Sequence, residues 1–464
     1  MAMEDDTGGS RDEDAADLLS RQRSYFRAGT TRPVEFRREA LRSLEATLQR
    51  HEEEILAALA SDLGKPGLEA YVSEYHFLLV EIRHAVRHLA RWARPRRVGT
   101  PLYFRPGKSE VRRAPFGVVL VVAPWNYPLQ LALSPVIAAV AAGNCVTVKP
   151  SELAPATSRL IETMLGKAFA PGHVTTVQGG AEVAEGLLEQ RYDMLFFTGS
   201  GRVGRLVSRA ASDHLVPAVL ELGGKCPCVV DADVDIASAA ERIAGGKFFN
   251  GGQTCMAPDF VVVHRTMHSA LVAQLREILE AWYGETGRED MARIANERHY
   301  ERLRSLAGPE EIRIGEDDET GLWLAPRLLP EVDWDHASMT GEIFGPVLPI
   351  LAWDDRAELI RRLRAMEAPL ALYVFSRDAA FREEIAESCP SGTIGFNDTM
   401  KQAGNPDLPF GGVGSSGMGR YRGEAGFAAF SYERSVTARG FGLDPFKARP
   451  PYGDRLSRLR RFVK

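Results

Sequence analysis

The sequence is poor in cysteine, and this scarcity limits the classes of protein to which it can belong. The chain has 464 residues and five cysteines, namely Cys145, Cys226, Cys228, Cys255 and Cys389. They are odd in number and scattered, so a disulfide framework is excluded and a reducing, cytoplasmic location is predicted. Cys226 and Cys228 are closer than the thiols of the usual redox or zinc motifs. We interpret them as buried strand residues and predict no metal site.

Long apolar runs and blocks of a single charge are also missing. No stretch reaches the roughly 20 apolar residues of a membrane-spanning helix, and the acidic segment Met1 to Asp17 has no apolar core for a signal peptide. The net charge is −5, without a large basic block. We therefore expect no nucleic-acid partner, no stable membrane anchor and a disordered N-terminus. The basic tail Arg455 to Lys464 is predicted to be a short amphipathic helix on a partner subunit, or else a membrane-surface segment.

Alternating strands and helices make up most of the chain. Residues 18–65 and 69–92 carry apolar side chains at helical spacing. From residue 117 to 222, and again from 260 to 396, short apolar strands alternate with helices of about a dozen residues. Such alternation predicts two α/β domains, each with a parallel sheet covered by helices. Ligands of these sheets bind beyond the carboxyl ends of the strands.

One stretch concentrates small residues around a single thiol. In Phe248-Phe-Asn-Gly-Gly-Gln-Thr-Cys-Met-Ala-Pro258, Cys255 follows a glycine pair and a polar turn. The small residues let other groups approach the sulfur closely. A thiol becomes a strong nucleophile when it ionises, which requires a helix N-terminus, a cation or a base nearby. Cys255 is therefore the candidate nucleophile, and a packing cysteine in a tight turn is the alternative.

A second glycine-rich segment, Gly199-Ser-Gly-Arg-Val-Gly204, lies between a predicted strand and a predicted helix. Glycines at this position allow a pyrophosphate to approach the helix N-terminus, although the same pattern fits an ordinary tight turn. The acid that could hold a ribose lies upstream, at Glu152, beside Lys149. A carboxylate there would accept hydrogen bonds from ribose hydroxyls and repel a 2′-phosphate, which favours NAD over NADP.

Three further polar residues stand at strand ends or in rigid turns. Glu221 ends a buried strand and is either a structural acid or a general base whose pKa desolvation would raise. Asn126, between Trp125 and Tyr127, could donate to a developing oxyanion or satisfy a local turn. Glu342, two residues before Phe344, could hold a ribose or be a surface acid beside a core aromatic residue.

Taken together, these motifs resemble those of the aldehyde dehydrogenase superfamily, and in particular its class 3 branch. The resemblance covers about residues 30–441. It rests on segments that occur in the family's order: Pro124-Trp-Asn-Tyr-Pro128, Lys149-Pro-Ser-Glu152, Phe197-Thr-Gly-Ser200, Glu221-Leu-Gly-Gly-Lys225, Gly252-Gln-Thr-Cys255, Glu342-Ile-Phe-Gly-Pro346 and Pro409-Phe-Gly-Gly412.

The resemblance implies a role for each of these residues. Cys255 would be the nucleophile, Asn126 with the backbone N–H of Cys255 the oxyanion hole, and Glu221 the base that activates the deacylating water. The remaining residues would bind NAD, with NADP possible: Lys149 and Glu152 at the adenosine ribose, Trp125 and Ser200 at the pyrophosphate, Gly199, Gly204 and Leu222 beside them, and Glu342 and Phe344 at the nicotinamide ribose and ring.

The resemblance also implies the architecture. Two parallel-sheet α/β domains are expected, a Rossmann-like NAD(P)-binding domain formed by residues 1–96 and 115–224 and a catalytic domain formed by residues 225–420. Residues 97–114 and 421–464 would form a small β oligomerisation element and the C-terminal tail. This element would mediate contact between the subunits of a homodimer.

The implied activity is oxidation of medium- or long-chain aliphatic or aromatic aldehydes to carboxylic acids through a cysteine thiohemiacetal and a thioester. Alternatives are a coenzyme A-acylating enzyme, the reverse reduction of an activated acyl group, and a non-catalytic binding or structural member of the fold. A cysteine hydrolase of another fold would need a histidine partner, and the nearest in sequence is His264. The loop Asn397 to Asp407, with Tyr71 and Tyr75, is predicted to shape the substrate entrance.

Overall fold

The computed structural model describes residues 8–284, 287–308, 310–442 and 449–462. Helices occupy most of the N-terminal region and then alternate with strands. They are α1 Gly8–Arg27, α2 Val34–Arg50, α3 Glu52–Leu63, α4 Gly67–Ala70, α5 His76–Trp92, α6 Gln130–Ala142, α7 Pro155–Ala168, α8 Ala181–Glu189, α9 Gly201–His214, α10 Ile236–Phe248, α11 Arg265–Tyr283, α12 Glu297–Arg304, α13 Arg356–Ala365, α14 Ala379–Ser388, α15 Gly423–Ala429 and α16 Arg455–Phe462.

The strands form three sheets within the described residues. In chain order they are β1 Arg96–Val98, β2 Gly107–Pro115, β3 Val118–Val122, β4 Cys145–Lys149, β5 Val174–Thr176, β6 Met194–Gly199, β7 Ala218–Leu222, β8 Pro227–Val230, β9 Phe260–His264, β10 Ile312–Arg313, β11 Arg327–Leu329, β12 Val347–Trp353, β13 Ala371–Phe375, β14 Thr393–Phe396, β15 Gly417–Met418 and β16 Ser431–Arg439.

The first sheet has the order β15-β7-β6-β3-β4-β5, in which β3 to β7 are parallel. Its central strand β3 is an uninterrupted apolar run because helices cover both faces, and Val118, Val119 and Val121 are fully buried. β15 is the exception, since it pairs antiparallel with β7 and sets Gly417 opposite Glu221. Gly417 and Met418 lie in the range predicted for the catalytic domain, but they extend this first sheet, whose other strands lie in the predicted NAD(P)-binding domain.

The second sheet has the order β10-β11-β12-β9-β8-β13-β14 and is parallel except at the edge strand β10. The prediction of two parallel-sheet α/β units is therefore confirmed. β1, β2 and β16 form the third sheet, in which β2 and β16 pair along nine residues. The small β oligomerisation element predicted for residues 97–114 and 421–464 corresponds to this sheet, while the domain boundaries stay a prediction.

The N-terminal prediction was partly wrong. Disorder was expected through Asp17, but α1 begins at Gly8, and residues 1–7 lie outside the described residues. Leu18 and Leu19 are buried, and the Gln22 side chain donates to the carbonyl of Val146 at 2.8 Å and accepts from the Thr147 hydroxyl at 2.6 Å. The acidic composition of the segment gave no indication of these few contact residues, which hold the helix against β4.

The C-terminal tail forms the short helix expected for it. Within Arg455 to Lys464, α16 spans Arg455–Phe462, and residues 463 and 464 lie outside the described residues. Leu456 and Leu459 are exposed on it. None of the helices in the described part of the chain is long and apolar enough to cross a membrane.

Candidate active site

A cavity of about 720 Å³ opens where the two α/β units meet, and it contains both the candidate nucleophile and the candidate base. Cys255 and Glu221 line it together with Thr254 and Tyr421. The rest of its wall is largely apolar and includes Phe77, Leu131, Phe249, Met256, Trp282, Met400 and Phe410. A concave apolar site with a few converging polar groups is the usual form of a small-molecule pocket.

The turn that carries Cys255 follows α10. Asn250, Gly251 and Gly252 have φ values of 56°, 60° and 73°, so the chain reverses through left-handed backbone. A Cβ on Gly252 would collide with the carbonyl oxygen of Gly345, so this position needs glycine for two reasons. The reversal leaves the Cys255 side chain half-buried in the cavity wall.

The surroundings of the Cys255 thiol disfavour its ionisation. Burial raises its pKa to about 12, with further increases from the carboxylates of Glu342 and Glu221. Arg422 and the residue's own backbone N–H act in the opposite direction. Because burial dominates, the thiol needs a proton acceptor when it reacts as a nucleophile.

Asn126 is buried in the loop after β3, and both its side-chain amide and its backbone carbonyl form hydrogen bonds. Its side-chain amide donates to the carbonyl of Gln253 at 3.0 Å. Its backbone carbonyl accepts from the Lys65 ammonium at 3.1 Å and from the Asn250 amide at 3.0 Å. An amide nitrogen carries two hydrogens, so one remains for another acceptor. The loop and the cysteine turn are thereby fixed to each other through Asn126.

Glu221 lies at the end of β7 with 3% of its surface exposed. Neither carboxylate oxygen has a hydrogen-bond partner among the described residues. Burial raises the pKa of Glu221 well above its usual value, and the positive charges of Arg422 and Arg420 oppose this. Buried polar atoms without partners are rare and mark places where strain, water or a ligand must be considered.

The adenosine-ribose candidates form an ion pair at the carboxyl end of β4. The Lys149 ammonium donates to Glu152 at 2.6 Å, and Lys149 is buried whereas the Glu152 side chain is 46% exposed. Burial acts to raise the pKa of Glu152, but the hydrogen bond and charge of Lys149, together with a backbone hydrogen bond, outweigh it and the pKa is lowered. The carboxylate is therefore ionised and able to accept hydrogen bonds.

The glycine-rich segment caps α9 as its pattern predicts. The Ser200 hydroxyl accepts from the Val203 N–H at 3.5 Å and stands at the helix N-terminus, directly after Gly199. A side chain at Gly204 would collide with Leu222, so α9 packs against the end of β7. Helix and strand are thus close enough to form one anion-binding edge.

Trp125, Glu342 and Phe344 come together on the other side of the cysteine. The rings of Trp125 and Phe344 meet edge to face, with centroids 5.5 Å apart. The Glu342 carboxyl lies against the backbone of Gly223. Its Oε1 is buried and has no partner in the described ranges. Burial raises its pKa to about 8, with Asp259 adding to the effect.

Several residues that border the site were not anticipated from the sequence. Arg422 is buried in the cavity wall, and the Tyr127 hydroxyl bonds to Thr254 at 2.6 Å beside the cysteine. Lys65 and Glu74 form a fully buried ion pair behind Asn126. In the sequence, Arg422 is marked only by being a cationic residue within a segment rich in glycine and aromatic residues. Nothing local marks the other contacts, since their partners are far apart in sequence.

The predicted entrance was partly wrong. The loop 397–407 contributes Asp398, Thr399, Met400, Lys401, Ala403 and Gly404 to the cavity. Tyr71 and Tyr75 do not line it, because they share one helical face and pack on each other with centroids 5.3 Å apart. Val72 and Ser73 line the cavity instead. They belong to a π-helical turn, Tyr71–Tyr75, of the kind often found beside functional sites.

The cysteine-hydrolase alternative finds no support in the position of His264. Its ring bonds to Thr266 at 2.8 Å and packs edge to face on Trp353 at 4.7 Å. It does not line the cavity that holds Cys255.

Comparison with known proteins agrees with this geometry. The aldehyde dehydrogenase family model matches residues 7–436. The chain is 40% identical over 447 residues to the 4,4'-diaponeurosporen-aldehyde dehydrogenase of Staphylococcus aureus, covering 95% of this chain and 97% of that protein. It is 40% identical over 448 residues to human aldehyde dehydrogenase family 3 member B1, with 96% of each protein covered.

Solved structures share the whole fold. The substrate-bound state of Staphylococcus aureus AldH superposes with a TM-score of 0.94 at 39% identity, covering 97% of this chain and 99% of that chain. The NAD-dependent aldehyde dehydrogenase from Sinorhizobium meliloti superposes with a TM-score of 0.84 at 28% identity, covering 94% and 89%. The chain therefore belongs to the aldehyde dehydrogenase family, in its class 3-like branch, and is an enzyme that oxidises aldehydes.

Proposed function

We propose that the enzyme oxidises medium- or long-chain aliphatic or aromatic aldehydes to carboxylic acids through a thiohemiacetal and a thioester on Cys255. The observation that supports this proposal is the presence of Cys255 and the unpartnered carboxyl of Glu221 in one largely apolar cavity of about 720 Å³. A largely apolar cavity of this size accommodates an extended hydrocarbon or a ring.

The residues present fit NAD. The buried Oε1 of Glu342 lacks a partner, and the ionised Glu152 carboxylate is half-exposed, so both are available to ribose hydroxyls. The N-terminus of α9 with Ser200 and Gly199 suits a pyrophosphate. Bound NAD supplies the acceptor for a hydride. We place Lys149, Trp125, Gly204, Leu222 and Phe344 in the same binding surface, and the charge of Glu152 favours NAD over NADP.

Acylation begins when the Cys255 sulfur attacks the aldehyde carbonyl and its proton passes to a carboxylate in the cavity. The carbonyl oxygen becomes an oxyanion that accepts hydrogen bonds from the free N–H of the Asn126 amide and from the Cys255 backbone N–H. One such donor is typically worth about 3 kcal/mol in the transition state. Re-formation of the C=O bond expels the hydride and leaves a thioester on Cys255.

Deacylation requires a base, and we assign this role to Glu221. Its carboxylate takes a proton from water, the resulting hydroxide attacks the thioester, and the carboxylic acid leaves as the thiol is regenerated. A coenzyme A acceptor would not need this base. The unpartnered carboxyl in the cavity therefore favours hydrolysis over the coenzyme A-acylating alternative, and an acid at this position is also unexplained in a non-catalytic member.

The test combines two substitutions with a set of aldehydes. NADH formation is followed with hexanal, decanal, benzaldehyde and an aldehyde of the kind named in the staphylococcal relative. Wild type should turn over, Cys255→Ala should be inactive, and Glu221→Gln should give a single burst of NADH followed by a slow steady rate. Turnover by Cys255→Ala would refute the nucleophile. A strict requirement for coenzyme A would refute hydrolysis.

We further propose that the enzyme is a homodimer, that it is cytoplasmic and that it has the predicted domain boundaries. The three-stranded sheet supports the dimer, since the nine-residue strand β16 stands at its edge and leaves backbone groups for a partner strand. Sedimentation equilibrium of wild type and of a chain truncated before Ser431 tests it. A monomeric wild type would refute the dimer.

A further inference from the structure

Arg422 has a buried environment that ordinary packing does not explain. It is 5% exposed and adopts a φ of 77°, in the left-handed region that non-glycine residues seldom occupy. It lines the catalytic cavity and also a smaller cavity of about 170 Å³ that lies on the other side of Phe77 and Ala403. A buried charge at a strained backbone position between two cavities indicates a functional role.

Aromatic rings and one carbonyl hold the guanidinium in place. Its centre lies 4.5 Å from the centroid of Phe77, 4.4 Å from that of Phe410 and 5.5 Å from that of Tyr421. One N–H donates to the carbonyl of Ala403. The Nε–H is buried and has no hydrogen-bond partner among the described residues. The charge is thus fixed in position without being neutralised by a hydrogen-bonded carboxylate.

Two buried carboxyls face this charge. Glu81 is fully buried on α5, accepts a hydrogen bond from Ser134 and borders the smaller cavity. Glu221 borders the catalytic cavity and lacks partners. Cys255 and Tyr421 also face Glu221, and Arg420, fixed to the carbonyl of Gly412, is a second cation near it.

We propose that Arg422 is a positioning residue for deacylation, whose fixed positive charge favours the carboxylate form of Glu221, the form that can accept a proton from water. This inference rests on the proposed role of Glu221 as the deacylating base. Arg420 contributes in the same direction and to a smaller extent. Arg422 itself exchanges no proton.

The electrostatics agree with this assignment. Burial raises the pKa of Glu221 well above its usual value, which disfavours the basic form, and Arg422 is the first of the two cations that oppose the rise. Burial likewise raises the pKa of Glu81, and Arg422 opposes that rise as well.

The experiment isolates acyl-enzyme hydrolysis from the redox step. Cys255 is acylated with p-nitrophenyl butyrate, and the loss of the acyl group is followed by intact-protein mass spectrometry between pH 5 and 10. In Arg422→Met the rising limb of the hydrolysis rate should move to higher pH by about one unit or more, the usual effect of removing a nearby opposite charge, so hydrolysis at pH 7 slows about tenfold. Arg422→Lys should restore most of the wild-type profile.

Matched variants separate this charge effect from a structural one. Arg420→Met should shift the limb in the same direction by less. Arg362→Met should not shift it, because Arg362 stacks on Trp334 at 5.4 Å and lines neither cavity. An equal loss of rate at every pH in Arg422→Met, without rescue by lysine, would overturn the inference. If Arg422→Met does not fold, an unshifted limb in Arg420→Met overturns it and an alkaline shift supports it.

Failure of the underlying proposal gives a different result. If Glu221→Gln hydrolyses the acyl-enzyme as fast as wild type, then Glu221 is not the base, whatever the arginine variants do. If Glu221→Gln is slow but Arg422→Met keeps the wild-type pH profile, only the role of Arg422 is wrong.

Discussion

Single residues of the site owe their chemistry to desolvation. Burial raises the pKa of Cys255, Glu221 and Glu342, whereas the positive charge of Arg422 opposes the rise at Cys255 and Glu221. The protonation of these groups therefore depends on the balance between burial and nearby charges, and this balance leads to two tests.

The first test concerns pH and stability. The pKa of Glu342 is raised to about 8 in the folded protein. At pH values between the ordinary pKa of a glutamate and this raised pKa, the folded state therefore keeps a proton that the unfolded state has already released. Glu342 should therefore lower stability as pH rises from 6.5 to 8. We expect the melting temperature of Glu342→Gln to fall less than that of wild type over this range. Parallel curves in a pH series of thermal melts would contradict the assignment.

The second test concerns the buried pair behind Asn126. Glu74 accepts from Lys65 and from the backbone N–H groups of Leu129, at 2.9 Å, and Gln130, at 3.2 Å. Glu74→Gln leaves a buried ammonium without its countercharge and should cost roughly 3–5 kcal/mol in unfolding free energy. The exposed pair Arg276–Glu280 is the control. Glu280→Gln should cost less than about 0.5 kcal/mol in the same urea titrations. Similar losses would mean that the buried pair adds little.

At the scale of elements, the cysteine turn is the critical connection. α10 begins with a cap in which Asp235 accepts from the Ser238 N–H at 3.1 Å, and it ends two residues before the left-handed reversal at Asn250. The reversal places the turn against the loop at Gly345, which follows Glu342. The nucleophile and the nicotinamide-side candidates are therefore positioned by one backbone contact.

Gly252→Ala tests that contact. A Cβ at this position meets the carbonyl of Gly345 and strains a left-handed residue, so the turn must shift. We expect kcat/KM to fall by more than tenfold, since a shift of about 1 Å in reacting groups has effects of this order. Gly245→Ala is the control, because a Cβ there meets nothing within 4 Å and a helical alanine is favoured by about 0.5–1 kcal/mol. Equal activity of the two variants would show that the turn tolerates displacement.

At the scale of the whole molecule, the cavity exists because two sheets end at a common cleft. The parallel order of each sheet sends the carboxyl ends of its strands to one edge. Glu221 comes from one sheet, whereas Cys255 and the loop 397–407 come from the other unit. We therefore expect the wall that limits substrate length to be formed by elements that are distant in sequence.

Gly245→Phe tests this reading of length. Gly245 is exposed on α10 and lines the cavity, with free space where a side chain would project. A phenyl group there should raise KM for decanal severalfold and leave kcat/KM for propanal within about twofold, because a short aldehyde does not reach the obstruction. The measurement is initial rates across a series of aldehyde lengths. A uniform change for all lengths would place the site of discrimination elsewhere.

Local periodicity determined much of the architecture. Strands such as Val118–Val122 are uninterrupted apolar runs, and helices such as α14 Ala379–Ser388 lie in the regions where alternation was predicted, because the repeat of each element depends on neighbouring residues alone. The motif order was enough to predict the family. The individual roles of Cys255, Asn126 and Glu221 stay proposals that rest on their common cavity and its electrostatics.

Only the tertiary structure decided which distant residues meet. It ordered α1 through a few buried contacts, added Gly417–Met418 to the first sheet, and replaced Tyr71 and Tyr75 by Val72 and Ser73 at the cavity. It also placed the charge of Arg422 between two buried carboxyls. Burial and Coulomb interactions act between groups close in space, and sequence spacing carries no record of them when hundreds of residues separate the partners.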